Sequence, residues 1–137
     1  MNRATTIGLL ERCINAFNAG DHAVLLACLA DDVAHDVNQT GREIGKEKFR
    51  WFLALRARHF RDRLADVVIM TNESGGRAAL EFTLRGNYIA TADGLPRSTG
   101  QEYAQPAGIF LEVDDGLVTR VSTCFNMTDF VAQLARS

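Results

Sequence analysis

From residue 62 the chain reads as a series of extended segments, and the alternation within them constrains the fold most. In RAALEFTLRGNYIAT (residues 77–91), Leu80, Phe82 and Leu84 alternate with polar residues. Successive side chains of a β-strand point to opposite faces, so this period of two predicts a strand with one buried face. Three further segments are predicted strands: LADVVIM, QEYAQPAGIFLEV and LVTRVSTCF. Turn sequences such as NESGGR and DDG separate the segments and predict an antiparallel meander.

The first part of the chain has the period of helices instead. One helix face carries four apolar residues: Ile7, Leu10, Ile14 and Phe17. The NAGD sequence that follows ends this helix, because Gly20 suits the left-handed position after a helix and Asp21 can cap a second, short helix. The strand that contains His35 comes next. A third helix is predicted from Lys46 to about Arg61, with an apolar stripe of Phe49, Phe52, Leu53 and Phe60.

A short closing helix, capped by Asn126, completes the predicted order α-α-β-α-β-β-β-β-α. Helices followed by a meander indicate an α+β fold, with the helices packed on one face of a curved antiparallel sheet. The outer face of that sheet is predicted to be half apolar, because Ile109, Leu111 and Val118 are assigned to it. An apolar outer face on a small domain suits pairing with a second copy, so we predict a homodimer through this face.

Length, composition and charge exclude several classes of protein. A chain of 137 residues that is 47% apolar can bury a core as one domain spanning residues 1–137. The net charge of −2 gives no general electrostatic reason to bind nucleic acid or an anionic membrane. No apolar run suits a signal peptide or a membrane span, so we expect a cytoplasmic protein. Cys13, Cys28 and Cys124 lack zinc-ligand spacing, and no metal site is expected.

One histidine stands out in ADDVAHDVNQTGREIG (residues 30–45). His35 lies between Val33 and Val37 on the apolar face of its predicted strand, whereas Asp36 points the opposite way. Histidine titrates near neutral pH and can act as a general acid or base, but a histidine on an apolar face can equally be a hydrogen-bonded lining residue. Both interpretations stay open. Its candidate hydrogen-bond partners are Tyr88, Tyr103, Gln105 and Asn126.

The sequence AFNAGDHAVLLACLADDVAHD, followed after a turn by GKEKFRWFL, resembles the start of a known group. This group contains ketosteroid isomerases and SnoaL-like polyketide cyclases, within the nuclear-transport-factor-2-like superfamily. HDVNQTGREIG, GLPRSTGQEY and PAGIF are similar to a subgroup called ketosteroid isomerase-related, which has no assigned reaction. The resemblance implies a cone-shaped, curved antiparallel sheet wrapped around the N-terminal helices, with a deep apolar pocket between them. It also implies a homodimer across the outer sheet face.

The resemblance does not extend to the catalytic groups of the steroid isomerases. In those enzymes a carboxylate base works with a tyrosine and an aspartic acid. The aspartic acid stays protonated at neutral pH and can therefore donate a hydrogen bond. Alignment through the shared motifs places Val37 at the base, Cys13 at the tyrosine and Gly108 at the aspartic acid. None of these three side chains can do the corresponding chemistry, so we predict no activity on Δ5-3-ketosteroids.

The pocket that the resemblance implies would be lined mainly by aromatic side chains and would select a small hydrophobic molecule by shape. Asn38 can bind the ligand or stabilise a backbone turn, and the Tyr88 hydroxyl can face the pocket mouth or solvent. Two functions stay open: a cofactor-free isomerase, lyase or cyclase that uses His35, and a non-catalytic binding module. The predicted ligand-binding residues are Phe17, Val37, Asn38, Phe52, Phe82, Leu84, Tyr88, Gly108, Phe110 and Phe125.

Overall fold

The computed structural model describes residues 1–136 and confirms the α+β class, with a curved, unclosed sheet packed against the N-terminal helices. Neighbouring strands run in the order β2-β1-β6-β5-β4-β3, and among the strands described only β1 and β6 pair in parallel. The elements in chain order are α1 (Arg3–Ala19), α2 (His22–Ala27), β1 (Leu29–Val37), β2 (Glu43–Ile44), α3 (Lys46–His59), β3 (Phe60–Thr71), β4 (Arg77–Tyr88), β5 (Glu102–Asp114), β6 (Leu117–Phe125) and α4 (Met127–Leu134).

Local capping fixes the ends of the helices. Asn2 and Thr5 form a reciprocal capping box at the start of α1, which satisfies two backbone N–H groups that have no partner within the helix. Gly20 adopts φ 71° after α1, as its left-handed position requires, and the Asp21 side chain accepts a hydrogen bond from the Val24 N–H to begin α2. The predicted cap of α4 is also confirmed, because Asn126 Oδ1 accepts from the Asp129 N–H at 3.0 Å.

Two boundaries differ from the sequence prediction. Helix α3 ends at His59 rather than near Arg61, and Phe60 begins β3 with an extended backbone. The Phe60 ring stacks on Tyr88 with its centroid 5.1 Å away, so burial among aromatic rings holds this residue in the sheet. The segment after β1 was predicted to be only a turn, but Glu43 and Ile44 pair with β1 as the short edge strand β2.

The prediction for the outer face of the sheet was wrong in β5 and β6. Leu111 and Val118 are buried and Ile109 lines the interior, whereas Phe110 points outward and is 53% exposed. The cause lies in the sequence Gly-Ile-Phe-Leu, since three consecutive apolar residues leave it open which of them face the core. The alternation in β4 is unambiguous, and Leu80, Phe82 and Leu84 are buried as predicted.

A backbone irregularity in β3 also changes which residues face outward. The pairing register with β4 shifts between Ala65 and Val68, and Asp66 between them adopts φ 55°, as expected at a β-bulge. After the bulge Val68 and Met70 are exposed, although they belong to a strand whose earlier part buries Leu64. No helix in residues 1–136 is long and apolar enough to cross a membrane.

Candidate active site in the apolar cavity

A cavity of about 180 Å³ lies between the helices and the concave face of the sheet. Helices α1, α2 and α3 supply one wall, and strands β1, β3, β4, β5 and β6 supply the other. Most of the lining is aliphatic or aromatic, which is typical of sites for small apolar ligands. The predicted lining residues that the cavity brings together are Phe17, His35, Val37, Phe52, Phe82, Leu84 and Phe125.

Four predicted ligand-binding residues lie outside this lining. Phe110 points to the outer face, and Gly108, two residues earlier in β5, lies on the same face. Asn38 has a structural role instead, because its Oδ1 accepts a hydrogen bond from the Phe125 N–H at 2.7 Å. The Tyr88 hydroxyl donates to the Pro96 carbonyl at 2.6 Å and accepts from the Ala92 N–H at 2.9 Å, so it anchors the loop before β5.

His35 is positioned by strand pairing on both sides and by two aromatic rings. Its backbone lies opposite Glu43 of β2 and Val121 of β6, and its side chain therefore points into the cavity with Val37. The imidazole centroid is 4.5 Å from those of Phe49 and Phe52, which lie on consecutive turns of α3. The residue is only 7% exposed.

Neither ring nitrogen of His35 has a hydrogen-bond partner within residues 1–136. The predicted partners are engaged elsewhere, because Tyr88 binds the loop, Asn126 caps α4 and Gln105 accepts from the Gln133 side chain at 3.0 Å. The fourth candidate, Tyr103, donates to Asp62. The prediction of a polar partner was therefore wrong, and the ring nitrogens are free to meet a ligand.

Burial sets the protonation state of His35. It lowers the pKa of the imidazole below its ordinary value of 6.5, because an imidazolium loses hydration in an apolar cavity. The carboxylates of Asp36 and Glu43 favour the charged form and oppose this effect only in part. The imidazole is therefore neutral at neutral pH, with one nitrogen able to accept a proton and the other able to donate a hydrogen bond.

A second polar group in the wall has a charged partner within the protein. Arg56 of α3 forms a two-point ion pair with Asp62 of β3, with Nε–Oδ2 and Nη2–Oδ1 distances of 2.5 and 3.0 Å. The Asp62 side chain is 5% exposed, and its Oδ1 also accepts a hydrogen bond from the Tyr103 hydroxyl at 2.5 Å. Burial and the Asp62 charge raise the pKa of Tyr103, so this hydroxyl stays protonated and donates.

A glycine makes this cluster possible. Asp62, Gly86 and Tyr103 occupy one row across β3, β4 and β5, with Gly86 between the other two. A Cβ on Gly86 would overlap the Tyr103 hydroxyl oxygen and the Arg61 carbonyl oxygen. The Tyr103 side chain therefore crosses the middle strand only because that strand has no side chain at this point.

Sequence reasoning missed Arg56 and Asp62, although the chain contains a signal for each. Arg56 follows Phe49 and Leu53 at helical spacing, so it places a charge on the buried stripe of α3. Asp62 alternates with Phe60 and Leu64, so it places a charge on the buried face of β3. Charges on apolar faces are uncommon unless they are paired, and two on adjacent elements are a signal for a buried ion pair.

Cys13 and Val37, at the positions of the tyrosine and the base in the steroid isomerases, both line the cavity. Burial raises the pKa of the Cys13 thiol to about 12, with the neighbouring Cys28 adding to the shift. Cys13 therefore stays a protonated thiol and offers only a weak hydrogen-bond donor. Within the described residues, no three histidine, cysteine, aspartate or glutamate side chains are grouped as a metal site requires.

Comparisons with known proteins agree with this architecture. Residues 10–121 match the model of the SnoaL-like domain family. A crystal structure of a proposed polyketide cyclase from Xanthomonas campestris pv. campestris is 42% identical, with 96% of this chain and 98% of that chain covered and a TM-score of 0.94. A proposed polyketide cyclase from Pseudomonas putida KT2440 is 46% identical over 93% of this chain and 96% of that chain, with a TM-score of 0.90.

A more distant structure shows how widely the fold is used. An LEH-like epoxide hydrolase from M. tuberculosis is 19% identical, with 98% of this chain and 87% of that chain covered and a TM-score of 0.77. At that identity the likeness concerns the fold alone, because one fold hosts unrelated reactions. No protein with a curated description matches the chain.

Proposed function

The chain belongs to the SnoaL-like domain family of the nuclear-transport-factor-2-like superfamily, and on that premise we propose a cofactor-independent isomerase, lyase or cyclase. Its substrate is a small hydrophobic molecule bound in the cavity, and His35 accepts the proton. One observation carries the proposal: a neutral imidazole without a protein partner lines an apolar cavity. A base that works near neutral pH needs this protonation state.

The three reaction types share a first step that His35 can perform. An imidazole nitrogen takes a proton from a carbon next to a carbonyl group, and the electrons of the broken C–H bond move to the carbonyl oxygen. The resulting enolate then takes a proton at another carbon, expels a leaving group or attacks a second carbonyl carbon. The imidazolium returns its proton to the product or to the leaving group, so the histidine ends the cycle neutral.

Arg56 supplies the charge that an enolate oxygen requires. A guanidinium has five N–H groups, and Asp62 engages two of them, so three are left to donate toward a ligand. Asp62 and Tyr103 hold the guanidinium in place before substrate arrives, which is how a preorganised donor stabilises developing charge. Stacking of the guanidinium over Phe60, with its Cζ atom 4.0 Å from the ring centroid, restricts it further.

The size of the cavity limits the substrate. An apolar cavity of roughly 150 Å³ binds benzene, so about 180 Å³ suits a single ring or a short branched chain. A four-ring steroid exceeds this volume, and Cys13 and Val37 lack the isomerase chemistry. We therefore expect no turnover of Δ5-3-ketosteroids. Within the three reaction types, the 42% and 46% identical relatives named as polyketide cyclases favour cyclisation.

Proton exchange tests the role of His35 without knowledge of the natural substrate. Single-ring and short-chain ketones are incubated in D₂O, and NMR follows the loss of protons next to the carbonyl group. We expect the protein to accelerate exchange of at least one ketone, and His35→Gln to abolish the acceleration while the protein stays folded. His59→Gln is the matched control, because His59 lies outside the cavity and its Nδ1 contacts the Ala90 carbonyl oxygen at 2.9 Å.

The same experiment separates the enzyme from a non-catalytic binding module. A ketone that binds the wild-type protein without faster exchange would favour the module, and exchange that persists in His35→Gln would remove the histidine from the mechanism. Mass spectrometry of a compound that co-purifies with the protein would identify the ligand in either case.

We also propose a homodimer through the outer sheet face, on residues other than those first predicted. Val68, Met70 and Phe110 are 51%, 48% and 53% exposed. Met70 and Phe110 flank Ala79 in one row across β3, β4 and β5, so they form a continuous apolar patch of the kind that mediates association. Sedimentation equilibrium should show twice 15.1 kDa, and Phe110→Asp should give the monomer.

Three free thiols suit a reducing compartment, so we propose that the protein is cytoplasmic.

A further inference from the structure

Among residues 1–136, Thr123 of β6 is the only residue in the lining of the apolar cavity that carries a hydroxyl group. Its register partners are Val37 of β1 and Ile109 of β5, and both of these also line the cavity. Because residues in one row of a sheet point to the same face, the Thr123 side chain lies on the inner face. The sequence gave no reason to select this residue, since threonine is common in strands whatever its role.

The sheet offers the Thr123 hydroxyl no side-chain partner. The backbone carbonyl of Thr123 accepts a hydrogen bond from the Asn38 N–H at 2.7 Å, but the hydroxyl makes no hydrogen bond within residues 1–136. A hydroxyl without a partner costs free energy in an apolar wall, where valine would have nearly the same shape. The position therefore carries a polar group that a molecule in the cavity can engage. Its neighbours on the inner face are all apolar: Val37, Ile109, Val121 and Phe125.

Thr123 is close enough to His35 for one small ligand to contact both. His35 pairs with Val121, two residues before Thr123, so the two side chains are diagonal neighbours across parallel strands. A strand spacing of about 4.8 Å and a rise of about 3.3 Å per residue put their Cα atoms about 8 Å apart. Both side chains line the cavity, so a ligand the size of one ring can reach both.

The hydroxyl also lies on the side of His35 that leads to Arg56. Phe125 follows Thr123 on the inner face, and its ring centroid is 5.7 Å from that of Phe130. The Cζ atom of Arg56 is in turn 5.2 Å from the Phe130 centroid. The strand therefore places the hydroxyl on the stretch of cavity wall between the imidazole and the guanidinium.

We propose that Thr123 is a specificity-determining residue whose hydroxyl binds a second oxygen of the substrate. Arg56 then holds the carbonyl oxygen, and His35 faces the carbon that loses its proton. The substrate class becomes a small ring or short chain with two oxygen substituents: one carbonyl group, and one further hydroxyl or carbonyl group. A threonine hydroxyl binds either, because it both donates and accepts. The occupancy of the cavity rests on the proposed function, whereas the role of Thr123 concerns binding and not proton transfer.

The physical reason for a hydroxyl at this position is orientation. Apolar walls select a ring by shape but do not distinguish its positions from one another, whereas one placed polar group fixes the orientation of a ligand. The branched side chain of threonine has few rotamers, so its hydroxyl is held in place before the ligand arrives. A ligand that lacks the second oxygen leaves this group unpaired, and a site built in this way discriminates strongly against such a ligand.

Titration with matched ketones tests the proposal. The probes are the positional isomers of hydroxycyclohexanone and of methylcyclohexanone, so that each pair differs by a hydroxyl in place of a methyl group. NMR titration gives the Kd of each probe. We expect Thr123→Val to weaken the binding of at least one hydroxy isomer about tenfold, and to change the Kd of its methyl counterpart by less than about twofold. Thr123→Ser keeps the hydroxyl and should bind the hydroxy isomer nearly as tightly as the wild-type protein.

Two controls separate ligand binding from a structural role. Thr119→Val makes the same change in the same strand but outside the cavity lining, and it should leave every Kd unchanged. Because the Thr123 hydroxyl has no partner within residues 1–136, Thr123→Val should also keep the urea midpoint of the wild-type protein.

The His35→Gln variant separates this proposal from the proposed function. It should abolish proton exchange, and adding Thr123→Val to it should still weaken binding of the same hydroxy isomer. Three results would overturn the role of Thr123 and leave His35 as the base: an unchanged Kd in Thr123→Val, equal weakening of both members of a pair, or a lower urea midpoint. Failure of every probe to bind the wild-type protein would overturn this proposal together with the proposed use of the cavity.

Discussion

His35 and the cluster of Arg56, Asp62 and Tyr103 both place polar atoms in the wall of one apolar cavity, yet they are held in opposite ways. The carboxylate of Asp62 accepts from both neighbours and is nearly inaccessible. The His35 ring packs against two phenylalanine rings and has no hydrogen-bond partner in residues 1–136. In one region the protein supplies a partner for each charged group, and in the other it supplies no hydrogen-bond partner for the imidazole.

This difference gives the cluster a structural role that His35 does not share, in addition to the role proposed for Arg56 at the enolate oxygen. A buried charge without a partner is strongly destabilising, so the ion pair is required for the fold around it. A neutral imidazole without a partner costs less and can be tolerated where a ligand will later supply the hydrogen bond. Substitutions in the two regions should therefore differ in their effect on stability: a large loss at the cluster, which also positions Arg56, and a small one at His35, where proton transfer is lost instead.

The largest effect should come from removing the carboxylate that both partners share. Asp62→Ala removes the acceptor of the Arg56 charge, which is 20% exposed, and of the buried Tyr103 hydroxyl, and we expect a loss of up to about 3–5 kcal/mol in the free energy of unfolding. Urea denaturation followed by circular dichroism measures it. Asp31→Ala is the matched control, because Asp31 approaches Lys46 at 3.5 Å with its own side chain fully in water, and no measurable change is expected. Similar losses in both variants would contradict the assigned importance of the cluster.

A smaller effect should follow from closing the gap over which Tyr103 reaches Asp62. In Gly86→Ala the new Cβ overlaps the Tyr103 hydroxyl and the Arg61 backbone, and displacement of either should cost roughly 1–3 kcal/mol of stability. Gly108→Ala is the control in the next strand, where the nearest atom to a new Cβ is the Leu80 carbonyl oxygen at 3.4 Å. That change should stay within about 0.5 kcal/mol. If both substitutions lower the free energy of unfolding equally, the contact between Tyr103 and Asp62 does not require glycine at position 86.

The sequence predicted those parts of the fold and site in which local pattern decides the structure. Strict alternation in β4 placed Phe82 and Leu84 on the inner face, and position between two valines placed His35 there. The same rule failed at Phe110, because a run of consecutive apolar residues does not show which of them face the core. Gly20 and Asn126 marked helix ends correctly, since capping depends on neighbours in sequence.

Contacts between distant elements could not be predicted in this way. Tyr103 bonds to Asp62 across an intervening strand, 41 positions away in sequence, and this contact needs the register of three strands and a glycine in the middle one. No local pattern specifies such a register. The hydrogen-bond partners proposed for His35 were wrong for the same reason: each candidate residue is satisfied by an element that only the fold brings near it.

The smallest effect concerns the charge of His35, and it tests whether burial or the nearby carboxylates control this side chain. Because burial lowers the pKa of folded His35 below 6.5, the unfolded chain binds a proton below that pH that the folded chain does not. His35 therefore destabilises the fold progressively as the pH falls below 6.5, by at most about 1.4 kcal/mol for each pH unit. The difference in unfolding free energy between the wild-type protein and His35→Gln isolates this contribution, since all other titrating groups are shared. We expect this difference to be constant above pH 6.5 and to change in favour of the variant below it. A change in favour of the wild-type protein would mean that Asp36 and Glu43 outweigh burial, and that the pKa of folded His35 lies above 6.5 rather than below it.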